Sequence, residues 1–249
     1  MTYCLAIKIN EGIVFASDSR TNAGVDYVRS SSKMFRFTWE NDRIITILTA
    51  GNLATSQAVI NTIQRDLGKP RQGFSLKTAS HFFDIAGYIG DISYQEQQKH
   101  QEAVEKIGGS AAASFIIGGQ IKEREHEIYM VYPEGNYITA SDESPFLQIG
   151  ESKYGKPILD RIISLDTSIN DAARCALVSL DSTMRSNISV GPPIELALYH
   201  AGTLLAPRHV SYKLASPLYK TLQKRWNEGL QRAFGRLPRF DWEAEQGDN

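Results

Sequence analysis

Apolar side chains occupy every second position at the start of the chain, with one polar break at residues 10–12. The apolar positions are Tyr3, Leu5, Ile7, Ile9, Ile13 and Phe15. Alternation with a period of two is typical of a β-strand, and the Asn-Glu-Gly break predicts a hairpin. If the turn is centred on Glu11, facing residues have numbers that sum to twenty-two, and all of these apolar side chains share one face.

The same register predicts a second face made of small and polar side chains. It carries Thr2, Cys4, Ala6, Lys8, Val14, Ala16, Asp18 and Arg20. Thr2 then faces Arg20, and Asp18 is its diagonal neighbour at about 7–8 Å. One more charged residue between them would complete a compact polar site.

Beyond this hairpin the pattern changes repeatedly between strand and helix spacing. Strands are predicted at 33–38, 43–50, 108–121, 126–133, 136–141, 194–201 and 208–215. Helices are predicted at 53–67 with Asn52 as cap, from about Leu76 to 106, at 156–162, at 170–184 and at 216–234. Short turns between paired strands indicate antiparallel sheets, and two consecutive helices between strand sets predict helices that cover the outer faces. A doubly wound nucleotide-binding fold fits worse, because strict strand–helix alternation and a G-x-G-x-x-G loop are missing.

Length and composition favour one large domain over two. The chain has 249 residues and a formal net charge of −1, which argues against nucleic acid or an anionic membrane as the main partner. Two cysteines far apart in sequence, Cys4 and Cys175, fit a reducing compartment better than a disulfide framework. The first twenty residues carry charges rather than the apolar core of a signal peptide, so we expect a cytoplasmic protein.

The second residue offers a specific chemistry. If Met1 is removed, Thr2 carries both a hydroxyl nucleophile and an α-amine, whose ordinary pKa of about 7.7–8.0 suits a base near neutrality. Such a site also needs a buried carboxylate, a nearby cation and backbone N–H groups for an oxyanion. Taken singly, each signal has a plain alternative: Thr2 as a small residue that permits methionine removal, Asp18 as a turn carboxylate, and Lys33 as a surface lysine.

Together these residues resemble the proteasome β-subunit family. The resemblance rests on Thr2, the run GIVFASDSR that contains Asp18, Lys33, and the run TAGNLATSQ that contains Ala50 and Gly51. Within the family, the run SLDSTMRSNISVGPP, the long polar helix and the C-terminal extension are most similar to the bacterial ancestral β subunit (Anbu), and less similar to the related HslV peptidase. The resemblance implies an α+β N-terminal-nucleophile hydrolase fold, a four-layer αββα sandwich. We expect a single domain over 1–240, including a C-terminal helical extension, and a polar tail over 241–249.

Residue roles follow from the resemblance. It implies that Thr2 is the nucleophile, that Asp18 and Lys33 form the charged pair behind it, and that the N–H of Gly51 stabilises the oxyanion. Thr21 and Ala50 would bind an extended peptide through their backbones. An Asp and a Ser that support the terminal amine are assigned to Asp181 and Ser186, with Ser182 as an alternative, and a further serine to Ser152. No cofactor or metal is expected, since the histidines show no ligand spacing.

The expected function is that of a threonine-type endopeptidase subunit acting through an acyl-enzyme. The resemblance further implies a homo-oligomer, ring or open ring, acting on peptides or unfolded proteins, with an unidentified ATP-dependent unfoldase as a possible partner. Two alternatives stay open: an N-terminal-nucleophile amidase acting on small amides, and a catalytically silent scaffold that retains Met1. With Met1 attached, Thr2 has no free amine and this mechanism stops.

Overall fold

Strands and helices follow one another in the order that the sequence predicts. The computed structural model describes residues 1–22, 28–70 and 73–244. The strands are β1 (Tyr3–Ile9), β2 (Gly12–Ser17), β3 (Arg20–Asn22), β4 (Val28–Ser30), β5 (Met34–Trp39), β6 (Arg43–Gly51), β7 (Ala113–Ile121), β8 (His126–Val131), β9 (Tyr137–Thr139), β10 (Phe146–Gly150), β11 (Ile194–His200) and β12 (Arg208–Tyr212). The helices are α1 (Leu53–Gly68), α2 (Phe82–Glu105), α3 (Lys156–Ile162), α4 (Ile169–Ser186), α5 (Pro217–Phe234) and α6 (Asp241–Ala244).

Two antiparallel sheets lie between two helix layers. One sheet has the order β10-β1-β2-β11-β12, and the other has the order β5-β6-β7-β8-β9. Helices α1 and α2 pack on the second sheet, α4 packs on β1, β2 and β11 of the first, and α3 packs on α4. The predicted four-layer αββα sandwich is therefore confirmed. Four short elements were not predicted: β3, β4, β10 and α6. Strand β10 forms an edge of the first sheet beside β1.

The register predicted for the first hairpin is wrong by one residue. Ile9 faces Gly12, so facing numbers sum to twenty-one and the turn consists of Asn10 and Glu11 alone. As a result Ile13 and Phe15 do not share a face with Tyr3 and Leu5. They belong instead to the core between the sheets. Both faces of this strand pair are buried, so apolar alternation cannot distinguish one register from the other.

The corrected register changes the neighbours of the first residues. Asp18 lies opposite Tyr3, and its N–H donates to the carbonyl oxygen of Tyr3 at 3.1 Å. The prediction that Thr2 faces Arg20, with Asp18 as diagonal neighbour, is therefore wrong. The carboxylate nevertheless lies at the start of β1, because Asp18 directly follows the last residue of β2 and its main chain is bonded to Tyr3.

Helix α2 begins at Phe82 rather than near Leu76. The carbonyl oxygens of Leu76 and Ala79 accept hydrogen bonds from the guanidinium of Arg43, at 3.2 and 2.6 Å. These carbonyls are therefore turned towards a strand of the sheet instead of along a helix axis, and the helix starts only after His81, which has an extended backbone.

Residues Met1–Lys213 form one compact unit, and Leu214–Asn249 form a second unit that contains α5 and α6. The first four residues of the expected polar tail form the short helix α6; residues 245–249 lie outside the described part of the chain. No helix among the described residues is both long enough and apolar enough to cross a membrane.

Candidate active site

A buried ion pair forms the centre of the site. The Nζ of Lys33, which directly precedes β5, lies 2.6 Å from Oδ1 of Asp18. The same ammonium donates to the carbonyl oxygen of Arg20 at 2.7 Å. The Asp18 side chain is fully buried and that of Lys33 is 8% exposed. Burial on this scale makes each charge dependent on the other, since an unpaired charge here would be strongly destabilising.

Main-chain donors complete the surroundings of the Asp18 carboxylate. The N–H of Tyr3 donates to Oδ1 at 3.1 Å, and the N–H groups of Arg20 and Gly191 donate to Oδ2 at 3.2 and 3.0 Å. Burial raises the pKa of Asp18, while the Lys33 ammonium and the N–H groups of Gly191 and Tyr3 oppose that rise. The carboxylate is thus held in one orientation by strand β1, by its own turn and by the loop before β11.

One cleft contains most of the residues that the sequence predicts for the site. It has a volume of about 290 Å³, and its lining includes Thr2, Thr21, Lys33, Ala50 and Gly51. Thr2 is 9% exposed, whereas Met1, also in the lining, is 70% exposed. The cleft therefore brings the candidate nucleophile and the buried cation to the same opening.

The corner between β6 and α1 gives the cleft one wall. Gly51 has φ of +101°, and a Cβ at this position would lie 2.3 Å from the carbonyl oxygen of Ala112. Only glycine fits such a backbone without displacing its neighbour. Asn52 caps the helix by accepting the N–H of Thr55 at 3.1 Å. The corner thus directs the positive end of the α1 dipole towards the cleft.

Thr21 also lines the cleft. Its strand β3 pairs with β4, where Thr21 faces Arg29. Its hydroxyl is buried without a hydrogen-bond partner in the described part of the chain. On the β6 side, Ala50 faces Ser114 of β7.

The residues assigned to the terminal amine lie on α4, and Ser152 lies just after β10. Asp181 is buried within α4 and accepts a bond from Nε of Arg185 at 3.0 Å. Ser186 is exposed at the last position of that helix, and Ser182 is half-buried. Ser152 forms a turn, in which its N–H donates to the carbonyl of Gly150 at 3.0 Å.

Two residues that sequence reasoning missed do reach the chain start. The N–H of Glu151 donates to the carbonyl oxygen of Thr2 at 2.7 Å. Its Oε2 accepts a bond from Nδ2 of Asn187 at 2.8 Å, and that same Nδ2 lies 3.6 Å from the Sδ of Met1. The available signal was a glycine directly before Glu151, at the end of the unrecognised strand β10.

Comparison with known proteins identifies the family. The sequence profile of the family described as "Proteasome subunit" matches residues 2–198. The chain belongs to the proteasome subunit family. A proteasome subunit beta of Haloferax volcanii is 22% identical over 215 residues, which is 85% of this chain and 79% of that protein.

Solved structures of proteasome-family members narrow the resemblance to the Anbu branch. The helical assembly of the Anbu complex from Pseudomonas aeruginosa is 41% identical, with a TM-score of 0.88, over 96% of this chain and 98% of that one. Anbu from Yersinia bercovieri is 36% identical, with a TM-score of 0.89 over 96% and 98%. A Gly-1 mutant of Anbu from Hyphomicrobium sp. strain MC1 is 38% identical, with a TM-score of 0.89 over 97% and 100%. The expected likeness to Anbu is confirmed, and the chain is a proteasome-type β subunit with the N-terminal-nucleophile hydrolase fold.

Proposed function

We propose that this proteasome-type subunit is a threonine-type endopeptidase whose nucleophile is Thr2 after removal of Met1. The observation that carries the proposal is the buried Lys33 ammonium, paired with Asp18 at 2.6 Å and lining the same cleft as Thr2. A buried cation beside a hydroxyl lowers the cost of generating an alkoxide. Replacing a buried ion pair by apolar side chains often leaves stability unchanged. A role in catalysis therefore gives a reason for the Lys33–Asp18 pair to be charged.

The chemistry proceeds in two halves. The Thr2 hydroxyl attacks a peptide carbonyl while the α-amine of Thr2 accepts the hydroxyl proton. The N–H of Gly51 stabilises the oxyanion of the tetrahedral intermediate, supported by the α1 dipole. The amine then gives the proton to the leaving nitrogen as the C–N bond breaks, which leaves an acyl-enzyme ester. Water, deprotonated by the same amine, attacks the ester and releases the acid product with the free hydroxyl.

The cleft suits an extended peptide. Thr21 and Ala50 both line it, and each belongs to a strand. Their backbone groups would pair with a bound chain as an added strand does. The side chain of Met1 is exposed, and threonine is small enough to permit removal of Met1 by a methionine aminopeptidase.

Assembly and partners form part of the same proposal. A solved Anbu complex from Pseudomonas aeruginosa is a helical assembly, which supports self-association of this chain into a ring, an open ring or a related particle. We further propose that the protein is cytoplasmic and that residues 1–240 form one proteasome-type domain. An ATP-dependent unfoldase would deliver unfolded chains to it.

The test is intact-protein mass spectrometry after incubation with a peptide epoxyketone, which reacts with both the hydroxyl and the amine of a terminal threonine. We expect loss of Met1 and one adduct on each chain. Thr2→Ser, which keeps both groups, should also react, whereas Thr2→Ala should not. Retained Met1 without an adduct overturns the peptidase proposal in favour of a silent scaffold. An adduct with turnover of small amides but not of casein favours the amidase.

A further inference from the structure

We propose that Glu151 is a positioning residue for the α-amine of Thr2, and that Asn187 orients it. The inference deepens the proposed function, because it concerns the base of that reaction. In this arrangement the Glu151 carboxylate holds the amine in place and favours its protonated form.

The main chain fixes Glu151 against the nucleophile. Its N–H donates to the carbonyl oxygen of Thr2 at 2.7 Å. The preceding residue, Gly150, has φ of +82°, and a Cβ there would lie 2.0 Å from the same oxygen. The backbone of residues 150–151 therefore approaches Thr2 so closely that only glycine fits at position 150.

The side chain of Glu151 is held inside the structure. The residue is 8% exposed, and its Oε2 accepts the 2.8 Å bond from Nδ2 of Asn187. Asn187 is itself oriented, because its Oδ1 accepts the N–H of Ser189 at 2.9 Å. The amide nitrogen is thereby directed towards Glu151 and towards Met1, whose Sδ is 3.6 Å away. A buried carboxylate beside the chain start, with one amide donor, can accept further donors from an ammonium.

The other charges near the start of β1 include both carboxylates, which favour a protonated amine, and cations, which disfavour it. The charged residues on or next to the elements that pack against β1 are Asp18, Arg20 and Lys33 around β2 and β5, Glu151 and Lys153 after β10, and Asp181 and Arg185 on α4. Asp18 is matched by Lys33 at 2.6 Å and Asp181 by Arg185 at 3.0 Å. Glu151 has a weaker cationic partner, since Lys153 lies 3.6 Å away and its side chain is 68% exposed.

The Glu151 carboxylate would change the proton affinity of the Thr2 amine in one direction. A carboxylate near an amine stabilises the ammonium and raises the pKa of the amine, which makes the amine a stronger proton acceptor when the hydroxyl attacks. It also delays deprotonation, so the rise of activity with pH lies at higher pH than it would without Glu151. Lys153 partly neutralises this effect.

The experiment uses full-length chains that start at Thr2, released from a cleavable N-terminal fusion so that the amine is free in every variant. Acetic anhydride acetylates only the unprotonated amine, and peptide mass spectrometry follows its rate at Thr2 from pH 5 to 10. We expect Glu151→Gln to lower the midpoint by about one pH unit. Lys153→Met should raise the midpoint, because it removes the cation that opposes Glu151. Glu102→Gln, on the exposed face of α2, is the matched control and should change nothing.

The rate of epoxyketone adduct formation, measured over the same pH range, should shift in the same directions. Unchanged acetylation midpoints in Glu151→Gln and Lys153→Met, with intact thermal unfolding, overturn the inference. If Glu151→Gln does not fold, the shift in Lys153→Met decides alone. Because acetylation needs no turnover, a chain that forms no adduct at any pH contradicts the proposed function while the titration still tests Glu151.

Discussion

The main-chain N–H of Tyr3 donates to the carboxylate of Asp18 at 3.1 Å, so the group that pairs with Lys33 also holds the residue next to Thr2. Position and charge at the candidate nucleophile therefore depend on the same side chain.

Replacing Lys33 by Met should abolish adduct formation and reduce the free energy of unfolding by about 3–5 kcal/mol, because it leaves a buried carboxylate without its cation. Urea denaturation measures the loss. The double variant Lys33→Met/Asp18→Asn, which removes both charges, should recover part of it. Lys106→Met breaks an exposed pair with Glu102 and should change stability by no more than about 0.5 kcal/mol. Equal losses in the two lysine variants contradict the importance of the buried pair.

Gly51→Ala should disturb the cleft wall, because the added Cβ would lie 2.3 Å from the carbonyl oxygen of Ala112. We expect a loss of more than about 1 kcal/mol from backbone strain and displacement together, and slower adduct formation. Gly108→Ala is the matched control, since its φ of +73° is also positive but nothing lies within 4 Å of the added Cβ. The urea midpoint should fall further for Gly51→Ala. A similar fall of the urea midpoint in Gly51→Ala and Gly108→Ala would show that the positive φ alone causes the loss.

Tyr3→Phe should cost about 1–3 kcal/mol, because it removes a buried hydroxyl from its partners. That hydroxyl lies 2.7 Å from Oγ of Ser179 on α4, and it also accepts a bond from Nε2 of Gln148. Thermal unfolding should show a coupling energy between Tyr3→Phe and Ser179→Ala in a double-mutant cycle. Tyr94→Phe, on the exposed side of α2, should be neutral. Strict additivity of the two buried changes would contradict a shared hydrogen bond.

Stability should fall as the pH drops below about 6.5, in part through His126. Burial, the largest cause, and the nearby charge of Lys8 lower the pKa of His126 in the folded chain; its Nε2 lies 2.8 Å from the carbonyl oxygen of Ile9. Between that lowered pKa and the ordinary value near 6.5 the unfolded chain binds more protons, so unfolding becomes easier as the pH falls through this range. Urea midpoints at pH 5.5 and 7.5 should differ less in His126→Gln than in the unsubstituted chain. The exposed His100 supplies the control, and His100→Gln should leave the difference unchanged.

The sequence predicts the fold well because hydrophobic periodicity survives in every layer of the sandwich. It fails where both faces of an element are buried, as in the first hairpin, since alternation then carries no information about which face is which. It also fails where a side chain competes for main-chain carbonyls, as Arg43 does before α2. Neither effect is visible from residue spacing alone.

Part of the candidate site could be predicted from the sequence, and part could not. The residues that line the cleft lie in short local runs before β1, in β3, before β5 and at the end of β6, and the family resemblance identifies these runs together. Glu151 and Asn187 could not be found by that route, because their contact joins a turn after β10 to the end of α4, 36 positions apart. A three-dimensional arrangement was needed to place them beside Thr2.

The donor from Gly191 to Asp18 spans 173 positions of sequence. A ribosome makes residue 191 long after residue 18, so the carboxylate obtains all of its partners only when most of the chain has been synthesised. Contacts this distant in sequence also form slowly during folding. An unfinished copy therefore lacks part of the charge centre, so the proposed activity would become available only after most of the chain has been made.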